Sequence, residues 1–238
     1  MRQLLPPTDV AVDAADPFPG ARRARQDGRP WLLVNMVSTA DGATAVGGVS
    51  GDLGGEADKA VFAALRRAAD VVLAGAETAR AEGYGPARPR ADGSPGPRIA
   101  VVTRSGRLDP TSRLFSGPPP IVFTCLACPP ERRIALESVA EVVVVGDEGV
   151  DLRAALAALG DRGVGVVACE GGPTLNGQLI AADLIDEWCL TIDPSLAGGP
   201  SKRASIAPEA PAGGPRSMQL DRLLESDGVV FARYLRQT

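Results

Sequence analysis

Histidine is absent from this 238-residue chain. Its absence removes the commonest general base, the commonest metal ligand and every Ser–His or Cys–His nucleophile pair. Surplus positive charge is missing as well. With 25 lysines and arginines against 29 aspartates and glutamates, the net charge is −4, which argues against a nucleic-acid partner held through its phosphates. No apolar run is long enough to span a bilayer, and Met1–Pro7 is too broken for a signal peptide. No membrane partner and a cytoplasmic location are therefore expected.

Cysteine is scarce. Cys125 and Cys128 stand at redox or zinc spacing, but no second pair follows at finger spacing, and Cys169 and Cys189 lie in apolar, strand-like runs. Ordinary reduced thiols and no metal site are the expectation. The two familiar phosphate-loop patterns are missing too. No Gly-Lys-Ser/Thr follows the late Gly171-Gly172 pair, and its spacing is not Gly-x-Gly-x-x-Gly.

What is present is an ordinary globular composition, 45% hydrophobic and 23% charged, at a length that buries a sizeable core. Residues 1–29 are rich in Pro, Asp, Ala and Arg without periodicity and read as an irregular N-terminal arm; residues 30–238 carry the folded domain. Short β-branched runs predict strands at Trp31–Val37, Val71–Ala74, Ile99–Val102, Ile121–Thr124, Val142–Val145, Val164–Cys169, Glu187–Ile192 and Val229–Leu235. Helices are predicted over Glu56–Ala68, between the fourth and fifth strands, over Asp151–Leu159, and from Pro173 onward. Gly83–Pro97 and Ala197–Pro215 read as loops. Buried strands alternating with helices imply an α/β fold with a mainly parallel sheet flanked by helices. The last two strands have no helix between them, which predicts an antiparallel C-terminal edge.

In such sheets ligands bind beyond the carboxyl ends of the strands. Those ends carry Asp41, Gly75, the Thr103-Arg104-Ser105 turn, and Glu170-Gly171-Gly172. The last of these runs straight into Pro173, a residue favoured at the first position of a helix. Two glycines permit a sharp turn and close approach, and the helix start favours an anion such as a phosphate. A polar Thr-Arg-Ser turn on the same rim suits a phosphorylated dinucleotide.

Thr39-Ala40-Asp41-Gly42, Gly75-Ala76-Glu77-Thr78 and Glu170-Gly171-Gly172-Pro173-Thr174-Leu175 occur in that order, followed by Leu184-Ile185-Asp186-Glu187 and Pro194–Gly199. Together they resemble the pyrimidine reductase family of riboflavin biosynthesis, the reductase domain of the bifunctional deaminase-reductase, which has the dihydrofolate-reductase-like fold. The resemblance covers about residues 30–236. In larger relatives this domain is fused to a zinc deaminase, a partner not expected in a chain without histidine.

The resemblance implies NADPH as cofactor, lying along the strand ends. Gly171, Gly172 and Thr174 would meet its pyrophosphate, Gly75, Ala76 and Thr78 would line it, and Thr103, Arg104 and Ser105 would hold the 2′-phosphate. Asn35, Asp41 and Glu170 would face the substrate, with a proton supplied by Asp41, the best candidate, or by water. The implied reaction is hydride transfer to the ribosyl C1′ of 5-amino-6-(5-phosphoribosylamino)uracil or a similar pyrimidine. Alternatives are a dihydrofolate or pterin reductase on the same fold, or a nucleotide-binding module without turnover. A homodimer is implied, with Glu187–Ile192 contributing to its interface.

Three positions depart from the family pattern. Ala43 stands where a Lys or Arg usually follows Asp-Gly, Asn35 where the first strand often has Lys, and Glu82–Pro86 where an Asp-Asp-Pro segment is usual. Arg80, Arg88 and Arg90 remain nearby in a loop able to fold over the pocket. With fewer cations, the expectation is a pocket that takes an amino-pyrimidine or pterin ring through Glu170, with weak demand for a substrate phosphate.

Overall fold

The computed structural model describes every residue except 19, 20, 22, 24–27, 52, 91, 208–210 and 238. Its centre is β2 (Trp31–Thr39), whose Leu32, Leu33 and Val34 are wholly buried because both faces of the strand are covered. The other strands are β1 (Arg2–Leu5), β3 (Val71–Gly75), β4 (Arg98–Val102), β5 (Ile121–Thr124), β6 (Glu141–Val144), β7 (Val166–Cys169), β8 (Glu187–Asp193), β9 (Met218–Ser226) and β10 (Val229–Arg236). They form one sheet in the order β1-β9-β10-β8-β2-β7-β3-β4-β5-β6. From β8 to β6 neighbouring strands run parallel, and β8, β10, β9 and β1 pair antiparallel. The expected mainly parallel sheet with an antiparallel C-terminal edge is what the chain forms.

Period-two alternation along β2 divides the core. Leu32 and Val34 pack with Leu156 and Leu159 of α4 (Leu152–Gly160) and Leu175 and Leu179 of α5 (Pro173–Ala181). Leu33 faces the other way, onto Val61 and Leu65 of α1 (Gly55–Arg67), together with Phe18 and Phe231. The remaining helices are α2 (Ala76–Ala81) and α3 (Pro130–Glu137). No helix among the described residues is long and apolar enough to cross a membrane.

Three elements differ from the sequence expectation. Arg2–Leu5, read as part of an irregular arm, is the strand β1, paired with β9. Four residues before Pro6 carry no periodic signal; their pairing is decided by a partner more than 200 positions away. β9 itself was not predicted, although Asp227-Gly228, both at positive φ, turns it tightly into β10 and is a recognised hairpin signal. The short α2 directly after Gly75 was also missed.

The N-terminal segment is bound to the domain by charge as well as by Phe18. Arg23 makes a bidentate pair with Glu187 at 2.8 Å on both arms, and Arg29 does the same with Asp186 at 2.9 Å. Both carboxylates are fully buried. Glu187 also accepts from Arg233 at 2.8 Å and from the Trp31 indole at 3.0 Å. Burial alone pushes its carboxyl up, but hydrogen bonds from Arg23 and Arg233 outweigh that and hold it at about 2.

Candidate active site

The carboxyl ends of β2, β3, β4 and β7 open into one cavity of about 1850 Å³. It gathers most of the residues singled out in the sequence: Asn35, Gly75, Ala76, Thr78, Thr103, Arg104, Ser105, Glu170, Gly172 and Thr174 all line it. Gly171 and Asp41 do not.

The Gly-Gly turn joins the elements that frame this cavity. The Gly75 amide donates to the Gly171 carbonyl at 2.7 Å, tying the end of β3 to the turn after β7. Gly171 has φ +84° and a Cβ there would lie 3.1 Å from the Met36 sulfur; a Cβ on Gly172 would lie 2.5 Å from Thr78 Oγ1. Backbone therefore takes the place of side chains between β2 and α2. The Gly171–Gly172 peptide is cis. Gly172 is the N-cap of α5 and no side chain caps that helix start, so first-turn amides of α5 remain for an anion.

The Thr103–Ser105 turn is built on polar backbone contacts. Thr103 is buried and its hydroxyl accepts from the Gly106 amide at 3.0 Å, while the Ser105 carbonyl accepts from Arg132 at 3.0 Å. Gly106 has φ +62°, and a Cβ there would lie 2.8 Å from the Cys128 sulfur. Cys125 and Cys128 are both buried and free, and they pack beneath this turn. Arg104 donates from Nε to the Glu148 carbonyl at 2.6 Å, with its side chain 69% exposed and so open to a ligand.

Glu170 lies at the centre of a network that the sequence did not suggest. Its two oxygens accept from Nε and Nη2 of Arg66, each at 2.6 Å, and from the Tyr84 hydroxyl through a short hydrogen bond. The Arg66 guanidinium also stacks 4.5 Å from the Phe62 ring centroid and 5.4 Å from that of Tyr84. Burial and then the Glu170 charge push the Tyr84 hydroxyl well above its ordinary range, so it keeps its proton. Burial would lower Arg66, but its bonds and charge contact with Glu170 prevail and raise it. A carboxylate has about four acceptor sites; three donors leave Glu170 about one for a further donor.

Asp41 stands beside the cavity lining, bonded to the loop after β8. Its carboxylate accepts from the Thr39 hydroxyl, from the Gly198 amide at 2.7 Å and from the Ala197 amide at 3.1 Å. The Thr39 bond first, then those amides, hold its carboxyl down at about 2. These bonds hold it as a carboxylate at neutral pH, and it lies outside the cavity lining. Its work is to fasten the loop after β2 to the loop after β8.

Residues 30–229 match the family described as the RibD C-terminal domain. The chain belongs to this family of reductases. Among curated relatives, the 2,5-diamino-6-ribosylamino-4(3H)-pyrimidinone 5′-phosphate reductase of Methanothermobacter thermautotrophicus is 34% identical over 181 residues, covering 75% of this chain and 84% of the relative. The reductase of the same name from Archaeoglobus fulgidus is 28% identical over 187 residues, with 72% and 83% covered. A solved pyrimidine reductase-like protein from Corynebacterium diphtheriae superposes with a TM-score of 0.77 at 27% identity, over 95% of this chain and 100% of that one. The riboflavin biosynthesis reductase of Saccharomyces cerevisiae shares the fold, with a TM-score of 0.67 at 17% identity over 90% and 92% of the two chains.

Within this RibD-type frame, Arg66 and Tyr84 are the cavity residues that sequence reasoning missed. Arg66 lies one helical turn beyond Phe62 on α1, the signature of one shared face. Tyr84 stands in the Glu82–Pro86 segment, where the departure from the family's acidic pattern was the available signal.

Proposed function

We propose that this chain is an NADPH-dependent reductase of riboflavin biosynthesis, acting on 5-amino-6-(5-phosphoribosylamino)uracil or a closely similar ribosylaminopyrimidine phosphate. The observation that carries the reading is convergence. The uncapped start of α5, the glycine-lined end of β3 and the Thr103–Ser105 turn open into the same cavity as Asn35 and Glu170. Its volume of about 1850 Å³ exceeds the roughly 300–1,000 Å³ that encloses one drug-sized ligand, leaving room for a dinucleotide beside a pyrimidine.

The residues fit that cofactor. Gly172 approaches Thr78 so closely that no Cβ fits, which leaves bare backbone for a pyrophosphate beside Gly75, Ala76 and Thr174. Gly171 contributes through its carbonyl, which holds the Gly75 amide. Thr103, Ser105 and the exposed Arg104 suit a 2′-phosphate. Bound there, NADPH would supply the hydride that reduces a C=N carbon, the ribosyl C1′ in its open imine form. Asn35 and the remaining acceptor site of Glu170 orient the pyrimidine, and Arg66 and Tyr84 hold Glu170 in place. With Asp41 anionic and Tyr84 retaining its proton, water is the proton source.

We extend the proposal to a homodimer in the cytoplasm. Along β8, Glu187, Cys189 and Thr191 are buried while Trp188, Leu190 and Ile192 are half-buried, and Tyr234, Ala232 and Val230 of β10 stand opposite them. This apolar face suits a second copy of the chain. The test of function is oxidation of NADPH by the purified protein with the phosphorylated ribosylaminopyrimidine, compared with dihydrofolate. Turnover of the pyrimidine alone is expected. Turnover of dihydrofolate alone would move the assignment to pterin reduction, and turnover of neither would leave a binding module.

A further inference from the structure

The residue after Asp41-Gly42 is Ala43, a buried side chain outside the cavity lining. The two positions that follow, Thr44 and Ala45, do line the cavity, and the loop after β8 is bonded to them. Thr44 donates from both its amide, at 3.2 Å, and its hydroxyl, at 2.9 Å, to the Lys202 carbonyl. Ser201 donates from its hydroxyl to the Ala45 carbonyl at 3.0 Å. The other end of the loop is fixed through the amides of Ala197 and Gly198 on Asp41. Four residues of separation between these two anchor points leave Lys202 little freedom of position.

Lys202 also lines the cavity, and its ammonium has no hydrogen-bond or ion-pair partner among the described residues. Arg88, Arg107 and Arg113 also line the cavity, but they belong to the segments after β3 and β4, whereas Lys202 stands on the loop bonded to the turn after Asp41. Arg66 is held by Glu170 and Arg90 by the carbonyls of Pro95 and Ala69, while the exposed Arg104 stands at the Thr103–Ser105 turn on the cofactor side. A phosphate monoester carried into a partly desolvated cleft needs a cation, because leaving its charge unpaired is costly. A lysine meets it as a point charge with three donors on a flexible stem.

We propose that Lys202 binds the phosphate of the substrate, a sugar phosphate monoester, and so replaces in space the cation that Ala43 lacks in sequence. This rests on the reductase reading above. It reverses the expectation of weak phosphate demand: the charge comes from the loop after β8, some 160 positions downstream of Asp41.

The test uses the full chain as wild type, Lys202→Ala, Lys202→Arg and, for comparison, Arg88→Ala. The kcat/KM is measured for the ribosylaminopyrimidine with and without its phosphate, and ribose 5-phosphate is titrated by calorimetry. Lys202→Ala is expected to lose about tenfold to a hundredfold on the phosphorylated substrate, with less than about a twofold change on the dephosphorylated one. Lys202→Arg should recover most of the loss. Equal losses on both substrates would overturn the proposal, as would discrimination that survives Lys202→Ala and disappears only with Arg88→Ala. If the wild type reduces neither pyrimidine, the reductase reading fails separately. The titration then decides: weaker ribose 5-phosphate binding by Lys202→Ala supports the site, and unchanged or absent binding overturns it.

Discussion

Replacing Tyr84 by Phe isolates one bond of the Glu170 network. The ring stays, and with it the contact to Arg66 at 5.4 Å; only the hydroxyl that donates to Glu170 is lost. A hydrogen bond to an ionised group contributes about 1.5–3 kcal/mol. Glu170 keeps both Arg66 bonds, which argues for the lower part of that range, about 2 kcal/mol. In a domain of this size that corresponds to a melting temperature lower by about 4–8 °C. Thermal melts of Tyr84→Phe, Glu170→Gln and the double variant form a cycle, and the two changes should be strongly non-additive. Additivity within about 0.5 kcal/mol would refute the network. Alkaline pH supplies an independent readout. The native hydroxyl is held well above its ordinary value of 10.0, so its contribution is complete below the unfolded value and is lost as pH rises toward the folded one. Wild type should therefore lose stability above about pH 10 at up to about 1.4 kcal/mol per pH unit relative to Tyr84→Phe. Parallel pH curves for the two proteins would refute that part.

Glu187→Gln leaves Arg23 and Arg233 without their buried partner, and denaturant titration should show a loss of about 3–5 kcal/mol. Because the native carboxyl lies at about 2 against an ordinary 4.5, this contribution is present above the ordinary value and fades as pH falls toward 2, so the gap between variant and wild type should narrow in acid. Arg104→Ala should weaken NADPH by about tenfold to a hundredfold and leave NADH nearly unchanged; equal losses for both nucleotides would remove the 2′-phosphate contact. Light scattering at micromolar concentration should give a dimer mass, and Leu190→Lys should shift it to monomer. A wild-type monomer would withdraw the β8–β10 interface.

Much of the fold was legible because its signals are local. A parallel strand buried on both faces is a continuous β-branched run, so Val71–Ala74 or Ile121–Thr124 declares itself within four residues. The same holds for Glu170-Gly171-Gly172-Pro173, where turn chemistry and a helix start are adjacent in the chain. From such segments the sequence alone determined a mainly parallel sheet flanked by helices with an antiparallel edge, and it named ten side chains or backbone positions that line one cavity. Tertiary structure decided what is non-local. Arg66 and Tyr84 reach Glu170 across 104 and 86 positions, and nothing near any of the three residues reveals that the carboxylate is already engaged. Asp41 looked like a free acid at a strand end until the loop after β8, 156 positions on, brought amides to it. β1 exists only because β9 presents an edge, and a four-residue segment has no pattern of its own with which to announce that. Residue type and spacing thus determine which groups stand at the rim, whereas packing between distant segments decides which of them are left unpaired to meet a ligand.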